Sequence, residues 1–192
     1  MANPNTKFGL RPARDRSGAP YSGGGNVYAV PASDGTALYL GDPVKLAGTG
    51  EIVNGRTYGD VIRAATGDVI LGAVVAVLPD TRDSLIYRAA STLRLVLVAD
   101  NPSLLFEIQE SAGGTALTAN DIGLNADFVV GSLDTNTGRS GVELNNATEA
   151  TTNTLDLKIH ALVNREDVAI GENAKWLVSI NRHQFANQVA GI

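Results

Sequence analysis

The 192-residue chain contains no cysteine, and this absence removes several kinds of structure and site. A disulfide framework and a thiolate zinc site both require cysteine, so neither is available. A chain of this length can bury roughly 70% of the surface that it exposes when unfolded, which is enough for a core without covalent cross-links. The sequence therefore predicts a fold held by packing alone, as suits synthesis in a reducing cytoplasm.

Long apolar runs are also missing. The longest run, residues 69–78, is interrupted by Gly72 and is well short of the roughly 18 residues that a membrane span needs. The N-terminal residues, MANPNTKFGLRPARDRSG, lack the apolar core of a signal peptide. We therefore expect a soluble protein that is neither exported nor inserted in a membrane.

Helical periodicity is absent beyond about two turns anywhere in the chain. Strand-length runs instead alternate with clusters of Gly, Pro, Asn and Asp. Two runs near the C-terminus show an apolar face most clearly, with the inward sets Leu155, Leu157, Ile159 and Ala161, and Trp176, Val178 and Ile180. The sequence predicts an all-β fold with little helix, either an antiparallel barrel or a jelly-roll-like sandwich.

Residues 93–110 read as a wide β-hairpin at the centre of a sheet. The segment between its two runs, ADNPS, has turn chemistry, because Asp and Asn bond the local backbone and Pro fixes φ. A two-residue period in each run assigns the inward side chains. These are expected to be Leu93, Leu95, Leu97, Leu104, Phe106 and Ile108, in the core of a barrel.

Two further segments are interpreted through their glycines. Residues 69–78 are too apolar for a one-sided strand, so we expect a central strand buried on both faces, with Gly72 at a bulge or a close backbone approach. Gly48-Thr49-Gly50 resembles a phosphate loop only superficially, because no helix and no Lys-Ser or Lys-Thr pair follows it. We interpret it as a turn.

Residues 1–26 are predicted to form an extended N-terminal arm, and residues 27–192 a single β domain with a short C-terminal tail from about residue 184. Pro4, Pro12 and Pro20 exclude a helix in the arm, and its glycines leave the chain without a stiff register. The arm either remains a solvated terminus or becomes ordered on a neighbouring molecule.

Charge is unevenly distributed along the chain. The net charge is −5, yet the first 20 residues contain four basic side chains and only one acidic one. An acidic body argues against a general nucleic-acid binder, whose affinity comes mainly from neutralising phosphates. A basic arm on an acidic body indicates docking onto a negative surface, with an ordinary solvated terminus as the alternative.

No metal site is predicted. His160 and His183 do not form an HxH or HExxH pattern, and His160 lies on the polar face of its strand, where a hydrogen-bonded or solvated ring is the simpler interpretation. A calcium loop starting at Asp134 fails because Arg139 occupies the position of the required Gly and Asn145 that of the closing Glu.

Catalytic chemistry is not expected either. No Ser lies in a G-x-S-x-G elbow, so a hydrolase nucleophile is missing. Asp100, Glu107 and Glu110 are the carboxylates nearest the proposed hairpin, but nothing pairs them as acid and base. We interpret them as turn, rim and surface groups, and we expect neither an enzyme nor a cofactor site.

Three groups of residues together resemble a known family. They are Phe8-Gly9-Leu10-Arg11-Pro12 with Tyr21-Ser22-Gly23-Gly24, then YRAAST (87–92), VLVADNP (96–102) and FEIQ (106–109), and finally LKI (157–159), GENAKWLV (171–178) and INRH (180–183). The chain is in these respects similar to the head decoration, or cement, proteins of tailed bacteriophages.

This resemblance implies a β-barrel or jelly-roll-like protein on the exterior of an icosahedral capsid, made in the cytoplasm of the host bacterium. It implies as partners the major capsid protein and further copies of the chain itself, in a homodimer or homotrimer, with no direct contact to nucleic acid or membrane. The role implied is to cement neighbouring capsid subunits against internal DNA pressure. The candidates for capsid contact are Lys7, Phe8, Leu10, Arg11, Arg14, Arg16 and Tyr21.

Other functions stay open on the sequence. Another β-rich virion part, such as a tail or head-completion protein, would share the fold class and the absence of chemistry. A carbohydrate-binding β module is a third interpretation, although aromatic residues make up only 5% of the chain. A β domain with some other role also fits the composition.

Overall fold

In the computed structural model, which describes residues 3–186, nearly all regular structure is β-strand, and this confirms the all-β prediction. Within that range the helical part is one 3₁₀ turn, Ala119–Asp121. The strands are β1 Arg11–Asp15, β2 Asn26–Val30, β3 Pro43–Val53, β4 Arg56–Arg63, β5 Gly72–Val77, β6 Arg94–Ala99, β7 Leu104–Gln109, β8 Asn125–Ala126, β9 Phe128–Val130, β10 Val142–Leu144, β11 Leu157–Leu162 and β12 Lys175–Ile180.

Strands β2 to β6 close into a small barrel in the order β2-β4-β3-β5-β6. The pairs are antiparallel except β2 with β4, which meet in parallel at Ala29 and Asp60. β-Branched and leucine side chains fill the barrel, as expected for inward positions of a pleated surface. They are Val30, Leu38, Val44, Val61, Leu71, Val74, Val96 and Val98.

A five-stranded antiparallel sheet, in the order β1-β7-β12-β11-β8, packs against the outside of this barrel. Its inner face forms a second core with Ala73 and Ala99 of the barrel. The sheet contributes Phe106, Ile108, Leu157, Ile159, Trp176, Val178 and Ile180, which confirms those inward positions. A two-stranded sheet, β9 with β10, adds Phe128, Val142 and Leu144 to the same core.

The predicted burial of residues 69–78 on both faces holds for β5. Val74 packs inside the barrel, whereas Ala73 and Val75 belong to the core between barrel and sheet. Gly72 lies so close to β6 that a Cβ there would collide with the carbonyl oxygen of Ala99. The close approach expected at this glycine is therefore present.

The predicted hairpin of residues 93–110 is wrong, because β6 and β7 do not pair with each other. β6 pairs with β2 and β5 in the barrel, whereas β7 pairs with β1 and β12 in the sheet. A turn is present after β6, but it leads the chain from the barrel to the five-stranded sheet. Asp100 accepts hydrogen bonds from Asn26 Nδ2 at 2.8 Å and the Tyr28 hydroxyl at 2.7 Å, which fixes the turn against β2.

The inward face predicted for β6 is also wrong. Val96 and Val98 are fully buried in the barrel, whereas Leu93 is 38% exposed and lies before the strand. Both faces of this strand are apolar, so the two-residue period alone does not decide which face is inward. The prediction for β7 is correct, with Leu104, Phe106 and Ile108 in the core between the sheet and the barrel.

Gly48-Thr49-Gly50 is not a turn, because β3 continues through it to Val53. The register between β3 and β4 shifts between Leu46 and Gly50, and the hairpin closes at Asn54-Gly55. These two residues have φ angles of 51° and 75°, as the common two-residue hairpin turn with Asn-Gly requires.

The N-terminal segment, for which an extended arm was predicted, lies on its own chain. β1 is the edge strand of the sheet, where Pro12 is tolerated because one side of an edge strand needs no hydrogen-bond donor. Leu10 is fully buried, and its N–H donates to Gly41 O at 2.8 Å. A Cβ on Gly41 would collide with the carbonyl oxygen of Phe8, so the two segments interlock closely.

At the other end, the predicted C-terminal tail begins with a residue held by the barrel. Gln184 N donates to Ile70 O at 2.8 Å, and its side chain accepts from Leu46 N at 3.2 Å. Residues 187–192 of the predicted tail lie outside the described residues.

Candidate docking face

The outer face of the five-stranded sheet, turned away from the barrel, carries a concentration of basic side chains. We call the part formed by Arg14, Arg16, Lys158, His160 and Ser179 the basic face. Its members come from β1 and the residue that follows it, from β11 and from β12. The body of the chain is acidic, with a net charge of −5, so this face is an electrostatic exception.

Two β-bulges direct these side chains outward. In β1, Pro12 lies opposite Phe106 and Arg14 opposite Leu105, so Ala13 is an extra residue without a partner in the register. Strict alternation would place Arg14 on the same inner face as Pro12. The bulge turns it instead to the outer face, because an extra residue reverses the alternation beyond it.

The second bulge lies at His160. Ile159 is opposite Val178 and Ala161 is opposite Leu177, so His160 is the extra residue of β11. The bulge also corrects a prediction, because Leu162 and not Ala161 packs against the core. Bulges commonly re-aim a side chain at a functional site, and here the imidazole is aimed at the neighbouring strand β12.

Ser179 links the two basic strands. Its Oγ accepts a hydrogen bond from Arg16 Nη2 at 2.9 Å and lies 2.9 Å from His160 Nε2. The hydrogen bond predicted for His160 on the polar face of its strand is therefore confirmed. A cavity of about 230 Å³ opens beside this group, and its lining includes Arg16, Lys158 and His160.

Electrostatics keep the His160 ring neutral at pH 7. Burial, together with the positive charges of Arg16, Lys158 and Arg14, lowers the pKa of His160 to about 4. Within residues 3–186 the Arg14 guanidinium forms no hydrogen bond and no ion pair. The positive charge of Arg14 is therefore not compensated by a carboxylate within this range.

Next to the basic face, Glu107 is enclosed by two arginines. It is 5% exposed and forms ion pairs with Arg11 Nη2 at 2.5 Å and with Arg165 Nη1 at 2.9 Å. The Arg11 guanidinium also lies 4.6 Å above the centre of the Phe8 ring. Glu107 is therefore a structural partner of arginines at the rim, and it does not cancel the charge of the basic face.

Beyond Glu107 the N-terminal residues cover the outer face. Thr6 N donates to Gln109 Oε1 at 2.7 Å, and Lys175 Nζ donates to the carbonyl oxygen of Pro4. Lys7 Nζ forms an ion pair with Glu143 at 2.7 Å. These contacts cover one end of the outer face, whereas Arg14 and Arg16 at the other end are exposed.

The seven predicted contact residues are placed in four different environments. Leu10 is fully buried and so unavailable to a partner, whereas Lys7 and Arg11 are held in ion pairs of their own chain. Phe8 and Tyr21 line a separate, largely apolar cavity of about 270 Å³ between the N-terminal segment and β5. The remaining two, Arg14 and Arg16, belong to the basic face.

Lys158, His160 and Ser179 were not among the predicted contact residues. The alternation in residues 155–161 does assign Lys158 and His160 to a polar face, and this was the available signal. What the sequence does not show is the sheet order, in which β12 lies between β7 and β11, so that Arg16 and His160 both reach Ser179 of β12.

The carboxylates near β7 differ in part from their predicted roles. Asp100 is a turn group as expected, but Glu110 is fully buried and not on the surface. Glu110 accepts a hydrogen bond from Trp176 Nε1 at 2.7 Å, and burial raises its pKa. The indole needs an acceptor when it is buried, so Glu110 serves the core.

A buried carboxylate, Asp156, links the barrel to the sheet behind the basic face. Its two oxygens accept from Gly67 N at 3.2 and 3.0 Å, and the side chain is 0% exposed. Burial raises the pKa of Asp156 to about 6, and the nearby Asp127 contributes to this rise. Asp156 and His160 therefore titrate in overlapping ranges with opposite effects on stability.

We expect Asp156→Asn and His160→Gln to change the pH dependence of stability in opposite directions. The raised pKa of Asp156 gives a stabilisation that is fully present below pH 4 and is lost as the pH rises through 6. The lowered pKa of His160 gives a stabilisation that is fully present above pH 6.5 and is lost as the pH falls toward 4. From about pH 4.5 to 6.5, the free energy of unfolding of Asp156→Asn should increase by about 2 kcal/mol relative to that of wild type. Over the same interval the free energy of unfolding of His160→Gln should decrease by about 2 kcal/mol relative to that of wild type.

Urea denaturation at several pH values measures this effect. Only the slopes of the free energy of unfolding against pH are compared. A loss of stability that is the same at every pH, such as that from a weakened hydrogen bond, therefore does not affect the result. Curves of wild type and both variants that run parallel between these pH values would show that neither group titrates as described.

Known proteins do not identify this arrangement. No group of three or more His, Cys, Asp or Glu side chains in residues 3–186 is arranged to hold a metal ion, and no helix in that range is long and apolar enough to cross a membrane. No protein-family model, no curated protein and no solved structure matches the chain.

Proposed function

We propose that the protein is a structural virion protein that binds the outer surface of a phage capsid through its basic face and cements neighbouring major capsid subunits. The observation that carries this proposal is the basic face itself, where the charges of Arg14, Arg16 and Lys158 all act on His160, on a chain of net charge −5. Opposite potentials on two surfaces accelerate their encounter and fix their relative orientation.

The resemblance in the three quoted groups of residues supplies the class of partner, the major capsid protein. A cement protein needs no catalytic group, because it acts by binding the assembled shell more tightly than the separate subunits. By mass action such binding stabilises the assembled state. The homodimer or homotrimer that the resemblance implies stays a prediction.

The way in which the N-terminal segment is held supports a rigid docking surface. Arg14 and Arg16 follow a segment anchored by Leu10 in the core and by the close contact between Gly9 and Gly41. A preformed surface loses less conformational entropy on binding than a free arm does. The basic residues would therefore contact the capsid from the folded domain, without an arm that extends to the capsid.

Charge reversal on the basic face tests the proposal. We expect the double variant Arg14→Glu, Arg16→Glu to bind expanded, undecorated capsids at least about tenfold more weakly than wild type, because attraction becomes repulsion across the interface. Co-sedimentation of purified protein with capsids of the phage that encodes it measures the binding. Added salt should weaken wild-type binding and affect the double variant less.

Arg56→Glu is the matched control, since Arg56 is an exposed arginine at the start of β4, in the hairpin of the barrel. Circular dichroism and thermal unfolding establish that all variants are folded. Equal capsid binding by the double variant and Arg56→Glu would contradict a docking role of the basic face.

A further inference from the structure

The cavity on the basic face has the features of an anion site. Arg16, Lys158 and His160 line it together with Pro102 and Asn181, and its volume is about 230 Å³. Ser179 Oγ is within 2.9 Å of both Arg16 Nη2 and His160 Nε2, which fixes these groups relative to one another. The bulge in β11 exists at His160 and positions its ring beside Ser179.

We propose that this cavity binds a carboxylate side chain of an acidic protein segment, an inference that rests on the proposed function and names the chemistry that the basic face recognises. The volume accommodates an Asp or Glu side chain. Two cationic side chains, Arg16 and Lys158, line this small cavity and provide the charge-assisted hydrogen bonds that a carboxylate prefers.

The pKa of His160 should rise when the anion arrives. The positive charges that lower this pKa come from Arg14 and Arg16 on the β1 side and from Lys158 on its own strand, while β12 presents the neutral Ser179. A carboxylate in the cavity offsets these charges and so raises the pKa of His160 from its low value.

A carboxylate fits this cavity better than a nucleic-acid phosphate. Binding to nucleic acid depends on several phosphates neutralised along a track and on aromatic side chains that stack with bases. The basic side chains here converge on one cavity, and its lining residues within the described range include no Phe, Tyr or Trp. The net charge of −5 opposes the approach of a polyanionic strand to the rest of the surface.

The two histidines of the chain make a direct test possible by NMR. The pKa of each His in the full-length protein, labelled with ¹³C at His Cε1, is measured alone and with oligoglutamate, oligoglutamine or oligothymidylate. With oligoglutamate we expect the pKa of His160 to rise by about 1 pH unit or more, since a single carboxylate at hydrogen-bonding distance has an effect of this size. His183, 3% exposed and outside the lining of this cavity, serves as the internal reference and should not change.

Variants separate the cavity from general charge attraction. Arg16→Gln and Ser179→Ala should reduce the response of His160, whereas Arg56→Gln should leave it unchanged. An unchanged His160 pKa in the presence of oligoglutamate would overturn the proposal. So would an equal rise with oligoglutamine, or a rise with oligothymidylate alone.

The result is distinguishable from the capsid experiment. Loss of capsid binding on charge reversal, without any response of His160 to oligoglutamate, would overturn the carboxylate site and leave the docking role intact. A clear His160 response in a protein that does not bind capsids would support the carboxylate site and refute the capsid partner.

Discussion

Replacing Arg88 by alanine should lower the free energy of unfolding by about 3–5 kcal/mol, as expected when one partner of a buried charged network is removed. Arg88 is 0% exposed. Its guanidinium donates to the carbonyl oxygens of Thr92 at 2.7 Å, Thr36 at 2.6 Å and Pro31 at 2.6 Å, and it lies 3.5 Å from Asp34 Oδ2. One side chain thus connects two loops, the one between β2 and β3 and the one between β5 and β6.

The expected loss arises from what remains after the substitution. Three carbonyl oxygens would lose their donor in the interior, and the carboxylate of Asp34 would lose its counter-charge, each at a cost of about 1–3 kcal/mol before relaxation. Arg88→Lys should lose less than Arg88→Ala, because an ammonium group retains the charge but lacks the planar fork that reaches several acceptors at once.

Urea denaturation at pH 7 measures both variants, with Arg56→Ala as the control at an exposed arginine. The control should remain within about 0.5 kcal/mol of wild type, as is usual for surface substitutions. An Arg88→Ala protein as stable as the control would show that the loops around Arg88 are held by other contacts.

Removal of residues 1–15 should destabilise the fold by more than Leu10→Ala alone, which we expect to cost about 2–5 kcal/mol. The deletion removes the fully buried Leu10 and exposes the edge of β7, because β1 pairs along Leu104 to Glu107. It also removes the arginine that pairs with the nearly buried Glu107. The deletion therefore tests stability, and it is unsuitable as a test of capsid binding.

Thermal and urea unfolding of the truncated chain, of Leu10→Ala and of the charge-reversal double variant form one series. The double variant should remain close to wild type in stability, since Arg14 and Arg16 are exposed. A truncated chain that unfolds at the same urea concentration as the full chain would mean that the segment is a free arm after all.

Polar side chains on one face of a strand made its inward face predictable. In β12, Trp176, Val178 and Ile180 are inward as predicted, because Lys175 and Ser179 alternate with them on the opposite face. β6 has Leu or Val on both faces, so the burial preference of its side chains does not distinguish the two faces. The pairing of β6 within the barrel determines which face is inward. The Asn54-Gly55 turn, in contrast, was predictable, because Asn-Gly is the preferred sequence of a two-residue hairpin turn. The turn was instead assigned to the nearby Gly48 and Gly50.

The basic face was only half predictable. Arg14 and Arg16 were selected for their charge, although nothing in the alternation shows that a bulge at Ala13 turns Arg14 outward. Lys158 and His160 were recognised as polar, but their meeting with Arg16 depends on strand pairing between distant parts of the chain. Such pairing is set by packing of the whole sheet, which local patterns do not encode.

The proposed function requires the protein to bind the outer surface of a capsid, and imaging of decorated capsids tests this directly. Purified protein is mixed with expanded, undecorated capsids of the phage that encodes it, and the particles are reconstructed by electron cryomicroscopy. We expect density on the outer surface, bridging neighbouring capsid subunits, with Arg14, Arg16 and Lys158 toward the shell and the β3–β4 hairpin away from it. Capsids that remain bare in the presence of folded protein, or decorated capsids with the basic face turned to solvent, would contradict the proposal.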